Sequence, residues 1–325
     1  MGRFLGPPSR VGIVSSGIFG GIAAAPGAHQ FVAVGTDNNR PLDTTPVTTI
    51  RNSAGVWTPH TPTVFGAQGL FSVAHATGQW LAGSSASAGT SVIATSPDAV
   101  IWTAQTNPLP GMDMFACGGD AALGVFGGNT ADLMDSVDGI NWNDEGNIWG
   151  GSAITHAIAA SGAGLYAAVA GTSGSQSIAY NIGSGWPLET TLHTNNVAAV
   201  IWDGSQLVAL DIDNGNIIIS PDGPNWSVVG ALPFPADNIA FNGHVYVLTS
   251  TATTTIVTAS TLAGLVAGTP VPMSIDTISV ITAGGGVFVA IDFSNNAYSS
   301  PDGVTWTTEN THVSAPFFLT AIAYA

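Results

Sequence analysis

The sequence predicts an all-β fold: a seven-bladed β-propeller of four-stranded antiparallel blades, its ring closed by pairing of the N- and C-terminal segments. Three observations carry that prediction. Ser-Pro-Asp-Gly-x-x-Trp occurs as Ser220, Asp222, Gly223 and Trp226 and again as Ser300, Asp302, Gly303 and Trp306. Relatives occur as Ser96, Asp98 and Trp102, and as Ser136, Asp138, Gly139 and Trp142. Tryptophans at 57, 102, 142, 186, 226 and 306 lie 45, 40, 44, 40 and 80 residues apart, so one copy lacks its Trp. In phase with them, an apolar stretch, a Gly turn and a second apolar stretch recur seven times, with turn glycines at 27, 78, 119, 162, 204, 243 and 285. A period of about forty residues filled with short strands indicates a propeller.

The fifth repeat shows how each blade is assembled. Its apolar segments predict strands at 197–202, 207–210, 216–220 and 226–229, joined by Asp203-Gly204, Asp213-Asn214-Gly215 and Pro221-Asp222-Gly223. Gly and Asn accept positive φ, and Pro presets the first corner of a turn. The Ser-x-Asp-Gly-x-x-Trp unit is thus the turn between the third and fourth strands. Its carboxylate can accept N–H bonds within the turn, and its Trp can wedge between neighbouring blades. After the seventh repeat, residues 317–325 read as an eighth first strand, expected to pair in the first blade beside or in place of residues 18–25. The organisation is a leader over residues 1–17 and one propeller domain over 18–325.

These residues resemble the Asp-box of sialidase-type, BNR-like propellers, whose pattern is Ser-x-Asp-x-Gly-x-Thr-Trp. Asp and Gly are adjacent in three copies here, only Thr305 supplies the Thr before Trp, and Asp98 is followed by Ala99. The copies around Trp57, Trp186 and Gly264 are degenerate. In that family the boxes form the fold and lie away from the active site, so the resemblance implies the architecture. It is similar to the non-catalytic kind found in bacteriophage virion proteins. WD40 propellers fit less well, since Trp202-Asp203 occurs once, after a first strand.

Composition narrows the partners. Twenty acidic residues face four basic ones, all arginine, at 3, 10, 40 and 51; there is no lysine. Duplexes and anionic bilayers are held by Lys and Arg, so neither nucleic acid nor acidic lipid is an expected partner. No apolar run reaches the roughly twenty residues of a membrane span, so no membrane insertion is expected. Arg3 and Arg10 followed by the stretch 11–28 imitate a secretory leader, but 22–34 align with the later hairpins, and no cleaved signal peptide is expected. Cys117, the single cysteine, permits no intrachain disulfide and reads as a buried strand residue.

The sequence carries few residues in arrangements that support chemistry. A sialidase needs three arginines converging from different blades on the substrate carboxylate. Arg40 and Arg51 fall in one blade and Arg3 and Arg10 precede it, so that site cannot form. Asp132, Asp135, Asp144, Glu145, Asp211, Asp237, Asp276 and Asp292 show no pairing by spacing for glycoside cleavage, and most fall at turns. The run from Asp211 to Asn216 imitates half a calcium loop but lacks its downstream Glu, so a tight turn is expected. Histidines at 29, 60, 75, 156, 193, 244 and 312 show no metal-binding spacing. Trp80, Trp149 and Trp202 could stack on sugars, though packing between blades is expected of them.

No catalytic residue, metal or cofactor is therefore expected. The sequence points to a non-enzymatic structural or receptor-binding propeller of a virus particle, a bacteriophage head or tail appendage. Its expected partners are other virion proteins and a host-surface glycan or protein, and its expected location is the particle surface. Arg3 and Arg10 are candidates for docking it to an acidic neighbour. The alternatives are a lectin-like glycan-binding propeller and a glycoside hydrolase whose paired acids are not recognisable from sequence.

Overall fold

A computed structural model describes residues 13–14, 31–37, 45–86, 89–151, 153–171, 176–190, 192 and 196–325. Its strands form seven separate sheets, each built from one stretch of chain except the first. The second blade comprises Leu70–Ala76, Gln79–Ser84, Ile93–Ser96 and Thr103–Gln105; the third Ala116–Gly119, Gly124–Gly127, Asp132–Ser136 and Asn143–Asn147. The fifth comprises Val197–Trp202, Leu207–Asp211, Asn216–Ser220 and Ser227–Ala231; the seventh Ile278–Gly284, Val287–Asp292, Asn296–Ser300 and Thr307–Asn310. All are antiparallel meanders whose neighbours pair in sequence order. The chain is a seven-bladed β-propeller.

Two blades bend the rule at the outer edge. In the fourth, Ile154–Ala160, Tyr166–Gly171 and Ile178–Asn181 form the sheet, and the fourth strand shrinks to one bridge between Ala179 and Leu188. In the sixth, Asn238–Phe241, Tyr246–Thr249 and Thr255–Ala259 precede a short helix, Leu262–Val266, before the fourth strand Val271–Pro272. Thr261 caps that helix through the N–H of Gly264 at 3.0 Å. Both are copies whose turn motif is degenerate, whereas the first blade, degenerate around Trp57, keeps a regular fourth strand, Trp57–His60.

The ring closes as expected, with the C-terminal strand as the partner. Phe317–Tyr324 lies antiparallel to Phe31–Asp37, with Val32 opposite Ala323, and Pro46–Arg51 and Trp57–His60 complete the first blade. A register shift between Val34 and Gly35 leaves Thr320 as the extra residue. Equivalent shifts occur early in the innermost strands of the second, fourth, fifth and seventh blades, so the C-terminal strand bends as an innermost strand does. Gly35 is required at that bulge, because a Cβ there would collide with the Phe318 carbonyl. On its other edge Phe317–Tyr324 pairs in parallel with Ile13–Val14, so the sheet reaches into the segment assigned as a leader. Residues 18–25 lie outside the described residues.

Packing explains why tryptophan keeps the period. Seven buried clusters each join two neighbouring blades. Trp57, Trp102, Trp142, Trp186, Trp226 and Trp306 each belong to a different one. The remaining cluster, between the fifth and sixth blades, is filled by fully buried Leu265 from the short helix. Each buried indole removes about 150–250 Å² from water, on the order of 4–6 kcal/mol of gross transfer free energy. The repeated Trp therefore joins blades to each other.

Candidate functional site

The turns that carry the sequence motif share one geometry. In the third blade Ser136 Oγ donates to Asp138 Oδ1 at 3.0 Å and accepts from the Gly139 N–H at 2.9 Å. Asp138 Oδ1 accepts from the N–H groups of Ile140 and Asn141, both at 2.8 Å. Trp142 Nε1 donates back to the Gly139 carbonyl at 3.1 Å. The same loop forms around Asp302, closed by Trp306 Nε1 on Gly303 O at 3.2 Å. Around Asp222 it is closed by Trp226 Nε1 on Gly223 O at 2.6 Å, and around Asp98 by Trp102 Nε1 on Ala99 O at 2.9 Å. The third residue of each turn has positive φ, and Ala99 at φ 60° fills the place glycine takes elsewhere.

These bonds also set the charge. The N–H groups of Asn141 and Ile140 hold Asp138 well below the usual carboxylate range. Thr305 and Val304 do the same for Asp302, and the Asn225 side chain and N–H for Asp222. Burial opposes the effect at Asp98, yet Ile101 and Val100 still depress it. The four carboxylates are ionised and serve their own turns.

The one arginine among the described residues is likewise committed to structure. Arg51 Nη2 and Nε meet Glu309 Oε1 and Oε2 at 2.6 and 2.7 Å across the seam between the first and seventh blades. Glu309 also accepts from Trp57 Nε1 at 2.8 Å and Ser299 Oγ at 2.6 Å. Burial pushes against ionisation, but Arg51, Ser299 and Trp57 together keep Glu309 below its ordinary value. Arg51 is thus withdrawn from any substrate. Arg3, Arg10 and Arg40 lie outside the described residues.

Most candidate acids close their own turns. Asp211 accepts from the N–H and side chain of Asn214 at 3.2 and 2.8 Å, the tight turn expected in place of a calcium loop. Asp292 accepts from Ser294 N, Asn296 N, Asn296 Nδ2 and Tyr298 OH, each at 2.8 Å. Asp237 is held by Thr251, and Asp144 by the N–H of Gly146 at 2.8 Å. Among the described residues no three His, Cys, Asp or Glu side chains converge to hold a metal ion.

One pair of acids does meet, which spacing alone does not reveal. Asp135 and Glu145 come from the adjacent strands Asp132–Ser136 and Asn143–Asn147, where a register shift between Leu133 and Met134 sets their alignment. With Val137, Tyr166, Asn181 and neighbouring glycines they line a cleft of about 400 Å³ between the third and fourth blades. Burial, and then the neighbouring Asp135 and Asp144 charges, push the Glu145 carboxyl up. Asp135 accepts from Trp186 Nε1 at 3.3 Å, and Tyr166 donates to Asp120 Oδ1 at 2.8 Å. The cleft offers carboxyl acceptors and no cation of its own.

The other candidates are structural. Trp80 and Trp149 are buried in blade seams, and half-buried Trp202 packs at the seam of the fourth and fifth blades. His156 sits at the bulge of its innermost strand, with Nδ1 3.0 Å from the Val197 carbonyl of the next blade. Thr320 makes the equivalent bond to the Leu70 carbonyl at 2.8 Å, so the histidine is one of a set of inter-blade straps. Burial pushes both His156 and His75 down. Cys117 is fully buried and its thiol is pushed up by desolvation.

No protein-family model matches the chain, and no curated protein matches it by sequence. Solved structures resemble its fold. A streptogramin B lyase structure aligns at 10% identity and TM-score 0.60 over 87% of each chain. A chain of a nidogen/laminin complex aligns at 11% identity and TM-score 0.55, covering 92% of this chain and 98% of its own. YCF48 from Cyanidioschyzon merolae aligns at 12% identity and TM-score 0.53, covering 76% and 87%. At such identities the likeness establishes the propeller fold, which serves enzymes and binding proteins alike.

Proposed function

We propose that this chain is a non-enzymatic propeller of a virus particle, a bacteriophage head or tail appendage that presents its loops to neighbouring subunits or a host surface. The observation that carries the non-enzymatic part is the commitment of the one described arginine, because the motif residues build the fold in any case. Ser136, Asp138 and Trp142, and their counterparts in three other blades, are bound within their own turns. Arg51 is locked against Glu309. The Asp-box resemblance, the lack of lysine and the scarcity of charge support the particle setting. Arg3 and Arg10 are proposed to dock the chain to an acidic neighbour. Saturable adsorption of the purified protein to host cells without sugar cleavage is the expected result, and turnover of any glycoside refutes the reading. Unchanged incorporation into particles after deletion of residues 1–10 refutes the docking role.

One observation favours a second reading. The Asp135–Glu145 pair places two carboxyls side by side in a cleft, and burial with that contact gives Glu145 the raised carboxyl that a general acid of a glycoside hydrolase has. That reading requires glycosidase activity that Glu145→Gln abolishes.

A further inference from the structure

We propose that one face of the disc, the face bearing the turns between third and fourth strands, is a docking surface for a protein segment that carries lysine or arginine among apolar side chains. The cleft between the third and fourth blades is the place for one such cation. In a four-stranded meander the first and third turns emerge on the same side, so the seven repeats bring these turns to one rim.

That rim is apolar where a soluble turn is ordinarily polar. Val304 of the seventh blade is 65% exposed, Val56 of the first 53%, Ile101 of the second 69%, Val137 and Ile140 of the third 71% and 51%, and Ile182 of the fourth 53%. They form an arc over five consecutive blades. The arc stops where Pro224 and Asn225 occupy the fifth turn and the helix Leu262–Val266 follows the third strand of the sixth blade. The turn bonds to Asp138 and Asp302 use the backbone of Ile140 and Val304, which leaves those side chains in solvent. Scattered single exposed hydrophobics are ordinary, whereas a recurring arc marks an interaction surface.

Charge selects the occupant. Between the apolar residues stand the ionised carboxylates of Asp98, Asp138 and Asp302, and the cleft beside Val137 adds Asp135 and Glu145. The sole described arginine is buried against Glu309, so the chain has no described cation to answer them. A second copy would bring acid against acid at a net charge of −16. A basic partner neutralises the rim, and a guanidinium or ammonium in the cleft offsets the burial, and then the neighbouring acids, that push Glu145 up.

This inference rests on the reading of the chain as a docking propeller and can be tested apart from it. The full chain is titrated by fluorescence anisotropy with three labelled peptides of equal length, built from Leu and Lys, Leu and Glu, or Ser and Lys. The Leu/Lys peptide is expected to bind at least about tenfold more tightly than either control. V137S/I140S/I182S, which alters only exposed side chains, is expected to lose about tenfold, and D135N/E145Q to lose part of the charge-dependent affinity. V228S/V271S, on outer strands, serves as the control and is expected to bind as the parent does. Equal binding of the Leu/Lys and Ser/Lys peptides, equal loss in the control variant, or self-association abolished by V137S/I140S/I182S would overturn the proposal. Host-cell adsorption insensitive to V137S/I140S/I182S overturns the face and leaves the particle reading standing; peptide binding without adsorption or incorporation does the reverse.

Discussion

Replacing Glu309 with Ala should loosen the seam at which the ring closes. The carboxylate accepts two bonds from Arg51 and one each from Trp57 and Ser299, and the side chains of the ion pair are only 11% and 9% exposed. Removing one partner of such a pair strands the other charge, at a cost of about 3–5 kcal/mol. With an unfolding entropy of about 2.1 cal/mol/K per residue, 325 residues give roughly 0.7 kcal/mol/K, so Tm should fall by about 4–7 °C. Removing both charges, as Arg51→Met with Glu309→Leu, should cost less than the single change, because no buried ion is left alone. The sign with pH follows from the depressed carboxyl. Its contribution is complete above the ordinary Glu value and is lost as pH falls through the folded one, so the gap between parent and Glu309→Ala narrows from pH 5 towards pH 3. Urea and thermal unfolding of the parent, Glu309→Ala, Arg51→Met and the double variant measures all of this. A single-variant cost below about 1 kcal/mol, or an undiminished cost in the Arg51→Met background, refutes the reasoning.

Trp226→Ala should cost about 3–5 kcal/mol in urea unfolding and Trp226→Leu distinctly less, since Leu265 fills the equivalent seam. Gly223→Ala should cost more than Gly215→Ala: both have positive φ, but only at 223 would the new Cβ stand 2.8 Å from a neighbouring side chain, that of Leu165. The conformational part is about 1–2 kcal/mol in each, so equal Cm shifts would show that the contact is irrelevant. Cys117 should resist thiol reagents at a rate that tracks global unfolding, and rapid labelling under native conditions would show that its seam opens locally.

The period, the blade count and the turn chemistry were legible because each is local: a Gly that needs positive φ, an Asp that binds its own backbone, a Trp that follows. The sixth blade was legible in its turn glycine at 243, but its outer half showed only as a missing Trp. Its replacement, Leu265, sits on a helix whose short apolar run reads equally well as strand. Closure was legible as an unpaired eighth strand, but its place on the inner side of Phe31–Asp37 goes with a bulge at Thr320 that leaves no mark in composition. The Asp135–Glu145 pair was missed for the same reason, since strand register at Leu133 and Met134 decides which side chains share a cleft. The rim of Val and Ile was hidden among identical residues bound for the core. Only the turn geometry separates Ile140, exposed, from Ile158, fully buried.

The closing strand also bears on biosynthesis. Thr320 bonds the Val34 carbonyl across 286 positions of chain, so the apolar edge of Phe31–Asp37 waits for its partner until nearly the whole ring has been translated. At about 5–20 residues per second that wait lasts on the order of tens of seconds. Through that interval the nascent protein is an open arc with a sticky end, a natural substrate for chaperones and for mispairing with another copy.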